Sequence, residues 1–206
     1  MRTFIITVAG LIAAALTALP AGAGEYTGPG FSGDYFFGES GTADQPVGNM
    51  HVGRTGMRMN MKSEGRNFAT IILWDNPAAF SLMIEQKMYM EVPPEQTGAM
   101  SEFEGKPCFG YKSSKKLGSE TIAGRKTEKW RCNGQLQTEP GEPASDATMW
   151  FDQELQFPIR DVNDSGDAYE VRNIKIGRQD ASLFKIPPGF KKFDMGAMMQ
   201  QLQQQQ

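Results

Sequence analysis

Histidine is almost missing from this 206-residue chain, with His51 the single example. One imidazole leaves no Ser-His-Asp or Cys-His arrangement to assemble. Set between Asn49 and Gly53, His51 reads as a solvated loop residue. Cysteine is nearly as scarce: Cys108 and Cys132 are the only two, and their spacing is no CxxC. An excess of positive charge is lacking too. Twenty-one basic residues face 24 acidic ones for a formal net charge of -3, and the basic residues are scattered. The sign is wrong for a phosphate partner, which excludes nucleic acid. Gly53-Arg54-Thr55-Gly56 lacks the lysine and following helix of a phosphate loop. Carboxylate pairs exist in Glu102 with Glu104 and Asp161 with Asp164. Paired carboxylates serve glycosidases, but nothing marks these two pairs off from ordinary acidic residues on loops and strand edges. The expectation is a protein without enzymatic activity, metal or cofactor.

The one sustained apolar run lies at the start. Arg2 supplies a positive end, Phe4 to Leu19 an apolar stretch, and Ala21-Gly22-Ala23 a small-residue cleavage pattern. Residues 1–23 therefore read as a secretory signal, too short and too poorly flanked for a membrane span. No cysteine stands near the cleavage point to carry a lipid anchor. An exported chain meets an oxidising compartment, where two cysteines pair. A hairpin centred on Glu120 places Cys108 opposite Cys132, and a bridge there is worth about 3 kcal/mol.

Past the leader, residues 24–50 form a Gly-rich segment without sustained period, apart from one short strand at Asp34 to Phe37. A period-two signal follows: Met57, Met59 and Met61 alternate with Arg58, Asn60 and Lys62. Gly65 offers a turn, and Phe68 to Trp74 is apolar on both faces, as a strand covered on two sides should be. Asp75-Asn76-Pro77 signals a turn into Phe80, Leu82 and Ile84, then Met88, Met90 and Val92. A short helix is expected over 95–103, weakened by Gly98. Strands are expected at Phe109 to Leu117, Ile122 to Cys132, Thr148 to Phe151, Phe157 to Val162 and Ala168 to Ile176. In the last, apolar parity changes from Tyr169 and Val171 to Ile174 and Ile176, which predicts a bulge near Asn173. Asp180 is placed to cap one helical turn before Pro187. The Met- and Gln-rich tail, 195–206, carries no core pattern and is expected to be disordered. The expected organisation is a leader at 1–23, the Gly-rich segment at 24–50, a β domain at 51–194 and that tail. The fold class is mainly β, with few short helices.

An ordered series of short motifs narrows this. Glu120-Thr121-Ile122-Ala123-Gly124 is followed by Lys129-Trp130, Met149-Trp150-Phe151 and Phe157-Pro158-Ile159-Arg160. Asn173-Ile174, Leu183-Phe184 and Pro187-Pro188-Gly189-Phe190 complete it. Over roughly residues 57–195 the series resembles an uncharacterised family of exported bacterial proteins whose fold is similar to the periplasmic lipoprotein carriers LolA and LolB. The resemblance implies a strongly curved antiparallel sheet, a half-barrel, wrapped round a hydrophobic cavity, and a periplasmic location. In those carriers the cavity shields acyl chains. The carriers begin with an amphipathic helix that residues 24–50 do not show, and no carrier functional residue finds a counterpart here.

The methionine stripe is the sharpest local clue, and three readings of it stand open. Flexible, polarizable thioethers on a concave side suit variable acyl chains. The same side chains serve as ordinary core filling. They also suit Cu(I), with His51 nearby in sequence, although alternate residues of a strand stand about 7 Å apart. The candidate cavity residues are Met57, Met59, Met61, Met88, Met90, Trp130, Trp150 and Phe157, with both tryptophans expected to point inward alongside Ile122 and Phe157. The expected function is a monomeric periplasmic protein holding a lipid or a lipidated chain. The alternative is an interaction module with a filled core that contacts another envelope protein.

Overall fold

The computed structural model describes residues 26–39, 44–63, 65–74, 79–92, 103, 105–135 and 145–193. The leader, the tail, the Asp75-Asn76-Pro77 turn and most of the expected 95–103 helix lie outside these residues. Six strands come first: β1 (Phe31–Glu39), β2 (Gly48–Gly53), β3 (Gly56–Ser63), β4 (Arg66–Leu73), β5 (Ala79–Met83) and β6 (Met88–Val92). Then follow β7 (Tyr111–Ile122), β8 (Arg125–Gln135), β9 (Ala147–Asp152), β10 (Phe157–Asn163), β11 (Asp167–Ile176) and the two-residue β12 (Lys191–Lys192). All twelve join one sheet in the order β12-β6-β5-β4-β3-β2-β1-β11-β10-β9-β8-β7. Every pair is antiparallel except β12 with β6.

The sheet is rolled but not closed. Between β4 and β10 lie four other strands, a separation of about 24 Å were the sheet flat. Yet the Phe103 ring lies 5.7 Å from Trp74, just past β4, and 5.3 Å from Phe157, the first residue of β10. One ring touches both only because the sheet curves around it. Tyr26, Phe31 and Phe109 complete an aromatic cluster on this inner face. Met50, Val52, Met57, Ile72, Ile159 and Val171 are buried in the same core. At the edges, β7 has only β8 as a neighbour and β6 has only the short β12 outside it.

The Gly-rich segment, expected to stand apart from a domain beginning at 51, instead supplies β1, a nine-residue strand in mid-sheet. The strand expected at Asp34 to Phe37 is present but longer, and the glycine that hid its start has a steric role. A Cβ on Gly33 would stand 2.6 Å from Val171 Cγ1, so glycine is what lets β1 close on β11. The bulge expected near Asn173 is present. Pairing slips between Ser32 and Asp34, Asn173 adopts φ 53°, and its side-chain amide donates to Asp34 Oδ2 at 2.7 Å.

The outer face is covered at β3 to β6 by the C-terminal segment. Phe184, in the 3-10 turn Ala181–Phe184, packs on Ala69, Ile71 and Leu82. Asp180 caps that turn, its carboxylate accepting from Ser182 N at 2.8 Å. So β4 is apolar on both faces because both faces are covered, Ile72 inside and Ile71 outside.

Cys108 and Cys132 are bridged, with Cα atoms 5.2 Å apart. The expected hairpin geometry is corrected, however. The turn falls at Ala123-Gly124, Ile122 pairs with Arg125, and Ser114 rather than Cys108 stands opposite Cys132. Cys108 precedes β7 and reaches the sheet from the crossing segment that begins near Phe103, so the bridge pins that segment onto the inner face. Replacing both cysteines with serine is expected to lower the unfolding free energy by about 3 kcal/mol in urea titration. Phe103→Ala, which empties the contact between two distant strands, should cost about 3–5 kcal/mol.

Candidate functional site on the concave face

Cross-strand partners share a face, so pairing assigns each side chain to one side of the sheet. One row across the inner face runs Val52, Met57, Ile72, Ala79, Val92. The next runs Met50, Met59, Thr70, Ser81, Met90, and a third continues Met61, Phe68, Met83, Met88. Met57, Met59, Met61, Met88 and Met90 therefore lie together. Met50 and Met83 join them, and were detectable in the sequence from the same two-residue parity. Burial grades along the strands: Met50 and Met57 are buried in the core, whereas Met59, Met61, Met83, Met88 and Met90 are half-buried. The face is packed at the Phe103 end and more open at the other.

His51 belongs to the opposite face. It pairs with Arg58, between two inward methionines, and its Nδ1 lies 2.9 Å from Gln179 Oε1. The histidine on which the Cu(I) reading leaned thus points away from the thioethers. Among the described residues no three His, Cys, Asp or Glu side chains gather as metal ligands.

The two tryptophans divide between the faces, contrary to the expectation that both point inward. Trp130 pairs with Met149 and Trp150 with Lys129, so neighbouring positions send them to opposite sides. Trp130 is half-buried beside the disulfide. Trp150 is buried and belongs to the main core with Ile122 and Phe157, as expected, with its ring between Lys129 at 4.8 Å and Arg160 at 4.9 Å. Its indole donates to Glu120 Oε2 at 2.9 Å, and that bond, followed by one from Lys129, holds the Glu120 carboxyl below its usual range. Phe157 is fully buried in the aromatic cluster.

A polar group that the sequence did not single out completes the inner face. Asp161 stands in the row Phe37, Tyr169, Asp161, Met149, Trp130. Its Oδ2 is buried and has no hydrogen-bond partner among the described residues. Burial pushes its carboxyl up to about 7. Asp164, its partner in the sequence pattern, sits in a turn where Arg131 grips both oxygens at 2.8 Å and lowers its pKa. The two are no acid–base pair, and Glu102 with Glu104 lie outside the described residues. Two cavities, of about 510 and 460 Å³, open among the described residues. One adjoins Asp34, Asn49, Asn60 and Lys62 and reaches Met61 and Phe68 of the third row, and the other adjoins Gly30, Gly53, Arg178 and Phe184.

A curved, open antiparallel sheet with a methionine-rich interior is the class of structure that fold and site define. The chain belongs to the family described as a domain of unknown function, DUF4412, which it matches over residues 47–156, in line with the uncharacterised family its motifs resemble. No curated protein matches it. An uncharacterized conserved protein from Thermus thermophilus is similar in structure, at 9% identity and TM-score 0.54, over 82% of this chain and 91% of that one. PNGF-II is similar at 9% identity and TM-score 0.52 over 85% of this chain, which spans only 33% of PNGF-II. The Mycobacterium tuberculosis lipoprotein LppX matches at 15% identity and TM-score 0.37, over 71% of this chain and 85% of LppX. At such identities the likeness is one of fold. Among the described residues no helix is long and apolar enough to cross a membrane.

The raised Asp161 pKa has a signed consequence for stability. Between its ordinary range, near 4, and about 7, the folded chain holds a proton that the unfolded chain has released. Stability from this group therefore falls as pH rises through that window. Asp161→Asn should leave stability at pH 4 little changed and raise it at pH 8, by at most about 4 kcal/mol, in denaturant titrations at the two pH values.

Proposed function

We propose that the protein is an exported, periplasmic, non-enzymatic binding protein whose concave face holds an apolar ligand, a lipid or a lipidated chain. The observation that carries this reading is the gradient along the methionine rows. At one end the inner face is closed by Phe103, Trp74 and Phe157, and at the other five half-buried methionines offer a flexible apolar surface. Thioethers adapt to chains of different length and unsaturation without a fixed shape. The absence of any triad or paired acid and base among the residues considered above supports binding without turnover.

A second reading, an envelope interaction module with a filled interior, is favoured by one specific observation. The aromatic cluster already fills one end of the curve, and the cavity beside Gly30, Gly53, Arg178 and Phe184 lies away from the methionine rows. In that case the partner would meet the sheet edges or outer face.

Organic extraction of the purified protein followed by mass spectrometry is expected to recover lipid, and a fluorescent acyl probe to bind. Met59→Lys combined with Met90→Lys sets two charges in one row and should weaken the probe about ten-fold or more. Both positions are half-buried, so the fold is expected to persist by circular dichroism. An extract free of lipid, together with a probe that gives no signal at any concentration, would favour the filled module instead.

A further inference from the structure

Among the described residues the inner face, apart from hydroxyls such as those of Thr70 and Ser81, carries one carboxyl. Asp161 lies directly opposite Tyr169 on β11 and Met149 on β9. Tyr35 stacks near Tyr169, with ring centroids 6.1 Å apart. Tyr111, on β7, packs beside Met149 and the disulfide. After burial itself, Asp161, Tyr35 and Tyr111 each help hold the Tyr169 phenol well above its ordinary pKa, and Asp161 also raises Tyr111. The Tyr169 hydroxyl is spent on Pro158 O at 3.1 Å. Asp161 Oδ2 is not spent on any described residue.

A buried carboxyl oxygen without a donor is costly, and the cost is relieved by whatever brings a donor to it. Its surroundings choose which donors fit. From β1, β7 and β11 the titratable groups near it are the phenols of Tyr35, Tyr111 and Tyr169, and from β9 it meets Met149. Arg131 and Asp146 act on Tyr111 but are not among the causes that shift Asp161. Arg160 is its chain neighbour, but pairs with Trp150 and Glu170 on the other face. The row continues past Trp130 to Lys116, which is paired with Glu128. Among the described residues no cation stands beside Asp161 to accept a carboxylate or phosphate headgroup, and an ionised Asp161 would repel one.

We propose that Asp161, with Tyr35, Tyr111 and Tyr169, is the polar seat of the trough, and that it selects aliphatic ligands whose head donates hydrogen bonds, a primary amine or an alcohol, over those ending in carboxylate or phosphate. The inference rests on the reading that the concave face takes an apolar chain. Occupation requires a small rotation of the Asp161 side chain toward the half-buried, methionine-lined end, where Phe37 is 52% exposed.

The test titrates the full chain with dodecylamine, dodecanol, dodecanoate and dodecyl phosphate, each below its micellar concentration. Calorimetry and tryptophan fluorescence read the binding, with Trp130 one place from Met149 in the same row. At pH 8 the amine and the alcohol are expected to bind about ten-fold or more tightly than the two anions. Asp161→Asn should remove most of the amine's advantage while leaving the alcohol within a few-fold. On lowering the pH from 8 to 5, the amine should weaken as Asp161 takes up its proton, whereas the alcohol should not. If Asp161→Asn fails to fold by circular dichroism, the pH series on the natural sequence and Tyr111→Phe decide the matter. Equal binding of all four probes overturns the seat while leaving the apolar trough intact. Tighter binding of the anions also overturns it, and no binding of any probe overturns both.

Discussion

The contact that the rest of the structure depends on is the single Phe103 ring held between Trp74 and Phe157. It can exist only if strands separated by four others come within one aromatic diameter of each other, so it measures how tightly the sheet is rolled. Rolling also makes the two faces unequal. Inner side chains converge, and at the Phe103 end they converge to close packing. Where no such plug stands among the described residues, the same rows remain half-exposed. The gradient from Met57, sealed in the core, to Met59 and Met61 follows from that one arrangement along a single strand.

Contacts of another kind tie the strands together elsewhere. Lys129, Trp150 and Arg160 stack across three adjacent strands, Arg160 and Arg172 flank Glu170, and Arg172 lies over Phe36. This ladder runs across β8, β9, β10, β11 and β1. Over β3 to β6 the C-terminal segment takes its place, with Phe184 on Ile71 and Leu82. Gly53 leaves room for this packing, since a Cβ there would stand 2.7 Å from the Phe184 ring. The sheet is thus braced by paired charge in one part and by apolar burial in another.

Much of this was legible in the sequence, wherever a period of two was uninterrupted. Met57, Met59 and Met61 announced their shared face, the doubly apolar Phe68 to Trp74 announced a strand covered twice, and the parity change around Asn173 announced its bulge. What stayed hidden has physical reasons. Strand β1 was seen only at Asp34 to Phe37, because Gly33, which β11 crowds, reads as loop. Trp130 and Trp150 gave no warning that they face opposite ways, because their facing depends on the register of β8 against β9, which sequence parity along either strand does not reveal. The cysteine pairing was right for the compartment argument and wrong in the geometry offered for it, since Cys108 comes from outside the hairpin. Asp161 looked like half of an exposed carboxylate pair, and nothing local reveals that its partners are Tyr169 and Met149 on neighbouring strands.

That carboxyl also bears on what the methionines are for. Thioethers by themselves do not separate core filling from ligand accommodation, because both uses want a flexible apolar surface. A titratable group on the same face bears on the choice. In a packed interior, an unpartnered carboxyl oxygen beside Met149 and Tyr169 is a standing cost that an apolar residue of similar volume would remove. In a trough that is sometimes occupied, the same oxygen is unpartnered only while the trough is empty, and its protonation near neutral pH limits the cost of waiting. The open end of the methionine rows and the unpaired oxygen of Asp161 are thus two signs of one condition: an inner face that its own side chains leave incomplete.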